Sequence, residues 1–315
     1  MNSSAIRHSW LVVVASLLLP GCAAFRQTST EVTLREPGHR MLGEPLPVAP
    51  EAAKDWEYAW LSEAAYGKTP GAANDKAALK AKGFEPCASA DDVLHAAGWK
   101  AWDGFPDDGL LTQISDSHLR VEVWEKRATQ SIVVAFGGTV FNSGKDWKSN
   151  LRWFLPKHKD EYTEIVEVFA PAFITEFKRR ASAPGGDYLK GASIYSTGHS
   201  LGGGLAQQFA YALPPDTVVP RVTHVYAFDP SPVTGFFSVQ PEVRDVNKVG
   251  LSIDRIYERG EILALVRSFT SFFVQPSASS PSIRGVRYAL FYPDNPVTGH
   301  SMIELACKMQ TASGN

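Results

Sequence analysis

Seven consecutive residues, Gly198 to Gly204 (GHSLGGG), constrain this chain more tightly than any other stretch of its sequence. An apolar run at 192–197 stands before them and a helix-like run at 205–213 behind them, which predicts a strand, a sharp turn and a helix in that order. Gly198, Ser200 and Gly202 match the pattern G-x-S-x-G. With Gly and Ser each at about 7% of residues, a chain this long holds roughly 0.1 such matches by chance, so the setting carries the meaning. A serine at the tip of such a turn sits in strained backbone, and side chains two positions to either side would collide with it. Glycines remove those Cβ atoms. The turn would direct the Ser200 hydroxyl outward at the carboxyl edge of a sheet, and the helix N-terminus would offer backbone N–H groups to a developing oxyanion, with Leu201 as the expected donor. A glycine-rich turn without chemistry is the competing reading.

The rest of the chain supports a layered fold. Trp56, Ala59, Trp60 and Ala64 recur at helical spacing and predict a helix that ends at Gly67. Leu119, Val121 and Val123 alternate with polar neighbours, as in a half-exposed strand, whereas 132–136 (IVVAF) reads as a strand buried on both faces. A long amphipathic helix is predicted over 161–180, with Ile165, Phe169, Phe173 and Phe177 on one stripe and a kink at Pro171. Further strands are expected at 222–228, 253–257 and 286–291, and a last helix at 301–310. Strands alternating with helices indicate an α/β protein, here an α/β-hydrolase fold whose mostly parallel central sheet carries helices on both faces. Residues 68–113 show no clear repeat.

In that fold the catalytic order along the chain is serine, acid, histidine, which leaves His224 and His300 as bases. His224 stands at the start of its strand, at the sheet edge opposite the nucleophile. His300 falls in a loop after the last strand, from which an imidazole can return over Ser200, take the hydroxyl proton and later deliver it to a leaving alcohol. Glu261 and Asp229 each follow a strand, and either carboxylate could orient His300; Glu261 is preferred for its half-buried apolar setting, and Asp229 is the alternative acid.

Residues 1–22 read as a signal peptide, because Arg7 and His8 precede an apolar run at 10–19, interrupted only by Ser16. That run falls short of the roughly 20 residues a membrane-crossing helix needs. The tetrad Leu19, Pro20, Gly21, Cys22 resembles the lipobox of bacterial lipoproteins, in which Cys22 becomes the acylated first residue. Acyl chains contributing ~0.8 kcal/mol per buried CH₂ would then anchor the protein to a membrane, and Ala23 resembles an outer-membrane sorting position. Pro20 departs from the usual small residue, so a periplasmic or secreted form is the alternative. Residues 23–50, rich in Pro, Gly, Thr and charge, suit a flexible tether, and 51–315 the catalytic domain. Only Cys87 and Cys307 remain, and an oxidising envelope invites them to form a disulfide. A formal charge of −2, with no run of five like charges, argues against nucleic acid as a partner.

Four blocks together resemble the class 3 lipases, the fungal-lipase-like branch of the α/β-hydrolases. They are 135–139 (AFGGT), Asp146–Trp147 with Asn150 and Leu151, 198–206 (GHSLGGGLA) and 255–261 (RIYERGE). The resemblance places a second oxyanion donor at Thr139 and the acid at Glu261, where aspartate is usual. Gly137 replaces the family's arginine. A lid is implied around Trp147, Leu151, Trp153, Phe154 and Leu155, residues that could equally pack beneath the following helix. The chemistry so expected is ester hydrolysis through an acyl-enzyme on Ser200, as in a lipase, phospholipase or carboxylesterase acting on a lipid or other ester, without metal or organic cofactor. The alternatives are a catalytically silent envelope lipoprotein that binds a partner, and an acyltransferase.

Overall fold

The computed structural model of the chain describes residues 30–67, 87–114, 119–138, 161–260, 277–291 and 300–315. In chain order its elements are β1 (Glu31–Arg35), β2 (Leu46–Pro47), α1 (Ala49–Ala64), α2 (Ala90–Ala96), β3 (Lys100–Ala101), α3 (Asp108–Gln113), β4 (Val121–Lys126) and β5 (Ser131–Phe136). Then follow α4 (Glu161–Glu164), α5 (Ala170–Ser182), β6 (Ser193–His199), α6 (Leu201–Ala212), β7 (Val222–Phe228), α7 (Pro241–Asn247), β8 (Ser252–Glu258), β9 (Ser282–Ala289) and α8 (Met302–Ser313). The strands form one nine-stranded sheet in the order β2-β1-β9-β8-β7-β6-β5-β4-β3. From β5 to β9 every neighbouring pair is parallel, and the antiparallel pairs lie at the two flanks. This is the α/β-hydrolase architecture expected from the alternating pattern.

All six residues of β5 are buried because both faces of the sheet are covered. Ile132, Val134 and Phe136 point into a core closed by Phe169, Phe173, Phe177 and Phe209, while Val133 and Ala135 point into a second core with Trp56, Trp60, Leu305 and Met309. Residues two apart on a strand share a face, so one run of five apolar side chains supplies both cores. The Phe169–Phe173–Phe177 stripe packs ring to ring, at centroid distances of 6.3 and 6.0 Å. Ahead of it the helix widens into a π turn over Ile165–Phe169, where the Ala170 N–H bonds to the Ile165 carbonyl. Pro171, which has no N–H to give, then sits in the first turn of α5, so the predicted kink is absorbed by the widened turn and the stripe stays on the core.

One expectation is corrected. The stretch read as a flexible tether contributes to the sheet, since β1 pairs antiparallel with β9 along its own whole length, from Glu31 opposite Ala289 to Arg35 opposite Gly285. Val32 is completely buried there. A five-residue strand has too little periodicity to stand out in sequence, and the open edge of β9, formed some 250 residues later, is what orders it. The loosely patterned region before β4 also joins the core, through Trp102, Leu110 and Ile114. Cys87 and Cys307 are joined as a disulfide that ties the approach to α2 to helix α8. Among the described residues no helix is long and apolar enough to cross a membrane.

Candidate active site

Strand β6 and helix α6 meet at Ser200, whose backbone has φ +57° and ψ −121°. Its N–H bonds to the Phe228 carbonyl, and its own carbonyl accepts from Gly203 and Ser231. The flanking glycines are obligatory. A Cβ on Gly198 would lie 2.3 Å from the Gly202 carbonyl oxygen, and one on Gly202 would lie 2.2 Å from that of Phe136. The predicted strand, strained serine and helix therefore occur in that order, and the Leu201 N–H opens α6 where the first turn leaves its donors free of helix partners.

Strand β7, the parallel neighbour of β6, carries the chain to Asp229. Asp229 is completely buried and adopts φ +39°, with its N–H bonded to the Ile256 carbonyl at 2.7 Å. His300 precedes the first residue of α8 and is nearly buried. Ring nitrogens of His199 and His300 and a carboxylate oxygen of Asp229 all lie within 4.8 Å of one another. The two imidazoles face each other at 4.5 Å between ring centres, and His199 Nε2 lies 3.8 Å from Asp229 Oδ2. Among the sequence-derived candidates, Ser200, Asp229 and His300 thus converge at the carboxyl edge of the sheet. His224 sits at the other end of β7, where it contacts Asp254 at 3.2 Å and stacks on Tyr226. Glu261, Thr139, Cys22 and the apolar residues 147–155 lie outside the described residues.

Four residues of the site escaped sequence reasoning. Glu258, at the end of β8, is buried and its carboxyl is pushed up to about 8, chiefly by desolvation and further by the charge of Asp229, although the Leu290 N–H it accepts works the other way. Arg120 donates from its guanidinium to the Gly138 carbonyl at 3.1 Å, and its carbonyl accepts from Gly137. It brings to the Gly137–Gly138 turn, from the start of β4, the cation that position 137 lacks. Tyr66, just past α1, places its hydroxyl 2.8 Å from His199 Nδ1. His199 itself was visible only as the variable residue of the motif. None of these has a local signature, because each acts through a partner distant in the chain.

Residues 57–217, half of the chain, match the family described as Tle-like phospholipase domain. The chain belongs to this phospholipase-like family. The matched span contains Tyr66, Arg120, Gly138 and Ser200, and it ends before Asp229 and His300. Family membership makes the protein a lipase-like serine ester hydrolase, in keeping with the resemblance drawn from the four sequence blocks. No curated protein matches the chain in sequence. Among solved structures it is similar to the Rhizomucor miehei lipase in its propeptide complex, at 16% identity and TM-score 0.42, over 75% of this chain and 67% of that one. It is also similar to MDLA from Penicillium cyclopium, at 15% identity and TM-score 0.45, over 78% and 80% of the two chains. The Lip2 lipase from Yarrowia lipolytica is 19% identical, with TM-score 0.41 over 69% and 76%. These similarities transfer no residue roles.

Proposed function

We propose that this phospholipase-like protein cleaves carboxylic ester bonds of phospholipids through an acyl-enzyme on Ser200, with His300 as general base and Asp229 as the orienting carboxylate. The observation that carries the reading is a serine held in strained backbone at a strand-to-helix turn, beside a buried carboxylate and an imidazole that approach within 4.8 Å. His300 takes the Ser200 proton as the oxygen attacks the ester carbonyl. The Leu201 N–H, together with Thr139, meets the negative charge that forms on the carbonyl oxygen. The alcohol leaves with the proton returned by His300, and water then repeats the sequence to release the fatty acid. Asp229 holds the imidazole in the tautomer that accepts from serine and stabilises the imidazolium.

The test is a hydrolysis panel of phospholipids and simple acyl esters, with fluorophosphonate labelling and Ser200→Ala as control. Labelling and turnover that persist in Ser200→Ala would sink the proposal, and so would a folded wild-type protein that neither labels nor turns over. Asp229→Asn is expected to lower kcat by about 10⁴, the loss that follows when an orienting carboxylate is removed. If Glu261→Gln shows that loss and Asp229→Asn does not, the acid is Glu261. We further propose that the chain is processed at Cys22 and held by acyl chains at the bacterial outer membrane, which would keep the site beside its lipid substrate. The apolar run at 10–19 and the Leu19–Cys22 tetrad support that placement. Metabolic labelling with a fatty acid, lost in Cys22→Ala, tests it.

A further inference from the structure

The hydroxyl of Tyr66 stands where three parts of the site meet. It lies 2.8 Å from Nδ1 of His199. A Cβ on Gly138 would fall 2.5 Å from that hydroxyl, 2.6 Å from the His199 carbonyl oxygen and 3.3 Å from the Ser200 Cβ, so the glycine turn is pressed directly onto the nucleophile with the phenol as one wall. Tyr66 also shares a hydrogen bond with the Gly138 backbone. Through His199, whose other nitrogen lies 3.8 Å from Asp229 Oδ2 and whose ring faces His300, the same hydroxyl reaches the base and the carboxylate.

We propose that Tyr66 is a positioning residue for ester hydrolysis: its oxygen accepts from the Gly138 N–H and its proton is donated to His199 Nδ1, which fixes His199 as the neutral tautomer with its Nε2 proton toward Asp229. The inference rests on the reading of Ser200, His300 and Asp229 as the reacting groups. In that state His199 presents only a dipole to the carboxylate, and no second positive charge stands beside His300. Without the phenol, Nδ1 is open to protonation. A charged His199 pairs with Asp229, draws the carboxylate away from His300 and opposes the imidazolium that turnover must form. The groups that face this network are Glu63 on α1, Arg120 before β4, Asp229 after β7, Glu258 at the end of β8 and His300 before α8. The same hydroxyl also fixes the distance between the glycine turn and Ser200, on which oxyanion stabilisation depends.

The experiment measures kcat, KM and the pH dependence of kcat/KM for the full chain on a soluble carboxylic ester, for wild type, Tyr66→Phe, Tyr58→Phe, His199→Asn and Tyr66→Phe combined with His199→Asn. Tyr66→Phe removes one oxygen and keeps the ring. Its kcat should fall about 10- to 100-fold, the loss a small misplacement of reacting groups produces, while KM changes by less than about twofold. Its acidic limb should move to higher pH, because protonation of His199 becomes a second inactivating event. Tyr58→Phe deletes a hydroxyl on α1 itself, upstream of Tyr66, and should leave the limb in place. In the His199→Asn background, with no imidazole left to protonate, Tyr66→Phe should no longer move the limb. A wild-type kcat and limb in Tyr66→Phe would overturn the proposal, as would a shift that persists in the double variant. A loss of kcat with an unmoved limb would make the role purely structural and would overturn it too. Activity that survives Ser200→Ala would instead defeat the underlying reading of the nucleophile, whatever Tyr66→Phe does.

Discussion

At Ser200 the backbone prepares the chemistry before any side chain does. A non-glycine residue at φ +57° carries strain on the order of 1–3 kcal/mol, which its hydrogen bonds to the Phe228 carbonyl and from the Gly203 and Ser231 N–H groups hold in place. Asp229, at φ +39°, repeats the device one strand away. Two of the three non-glycine residues with positive φ among the described residues are thus the proposed nucleophile and the proposed acid, and both follow the C-terminal ends of adjacent parallel strands. Glu258 shows how environment separates neighbouring carboxyls. Desolvation and the nearby Asp229 keep it protonated to about 8, so its role is to fill a buried position and hold the Leu290 N–H rather than to carry charge. Glu258→Gln should therefore keep kcat at pH 7 within about threefold of wild type, in contrast to Asp229→Asn. A collapse of turnover in Glu258→Gln, with the fold intact by circular dichroism, would show that its ionised form takes part.

Helix α1 joins two tasks at the scale of a single element. Its apolar face, Trp56, Ala59 and Trp60, closes the second core, and Tyr66, just past its end, reaches the site. Its first turns carry a buried polar cluster in which Asp55 accepts from the Tyr288 hydroxyl at 2.7 Å while Arg284 is paired with Asp254 and Glu51. Burial, followed by the charge of Asp254, pushes the Asp55 carboxyl from its ordinary 3.8 up to about 8. The folded chain therefore binds a proton that the unfolded chain releases at lower pH. The stability associated with Asp55 is fully present below about 3.8 and is lost as pH rises through about 8. Asp55→Asn, which can still accept from Tyr288, should flatten that decline. Its unfolding free energy relative to wild type should rise steadily between pH 5 and pH 8. Parallel stability curves for the two proteins would refute the assignment.

Across the whole molecule, elements far apart in the chain depend on one another. β1 completes the sheet only by pairing with β9, and α8, which begins two residues after His300, is tied by the Cys87–Cys307 bond to the approach to α2, across a separation of 220 residues. Closing a loop that long removes much of the freedom of the unfolded chain, so reduction should lower the unfolding free energy by about 2–5 kcal/mol. Denaturant melts with and without a thiol reductant, alongside Cys87→Ser, measure this directly, and coincident melts would show that the bond constrains nothing. Because His300 lies two residues before α8, the reduced protein should also lose esterase activity at a lower temperature than the oxidised form.

Local pattern was enough wherever a residue's role is set by its immediate neighbours. The run IVVAF announced a strand buried on both faces, the 165–177 stripe a helix against a core, and Gly198 to Gly204 a strained strand-to-helix turn, because each depends on backbone geometry and burial within a few residues. His300 was legible one step further out, from chain order and its place after the last strand. Tyr66, Arg120 and Glu258 were not. Their roles consist of hydrogen bonds and charge interactions with groups that only the folded sheet brings within a few ångströms, and desolvation, which raises Glu258, has no counterpart in the extended chain. The amino-acid sequence by itself determined the fold class, the nucleophile's turn and the candidate base. The tertiary structure alone decided that Asp229 stands buried beside the two imidazoles and that β1 belongs to the sheet, because proximity across the sheet and exclusion of water exist only once distant segments have packed together.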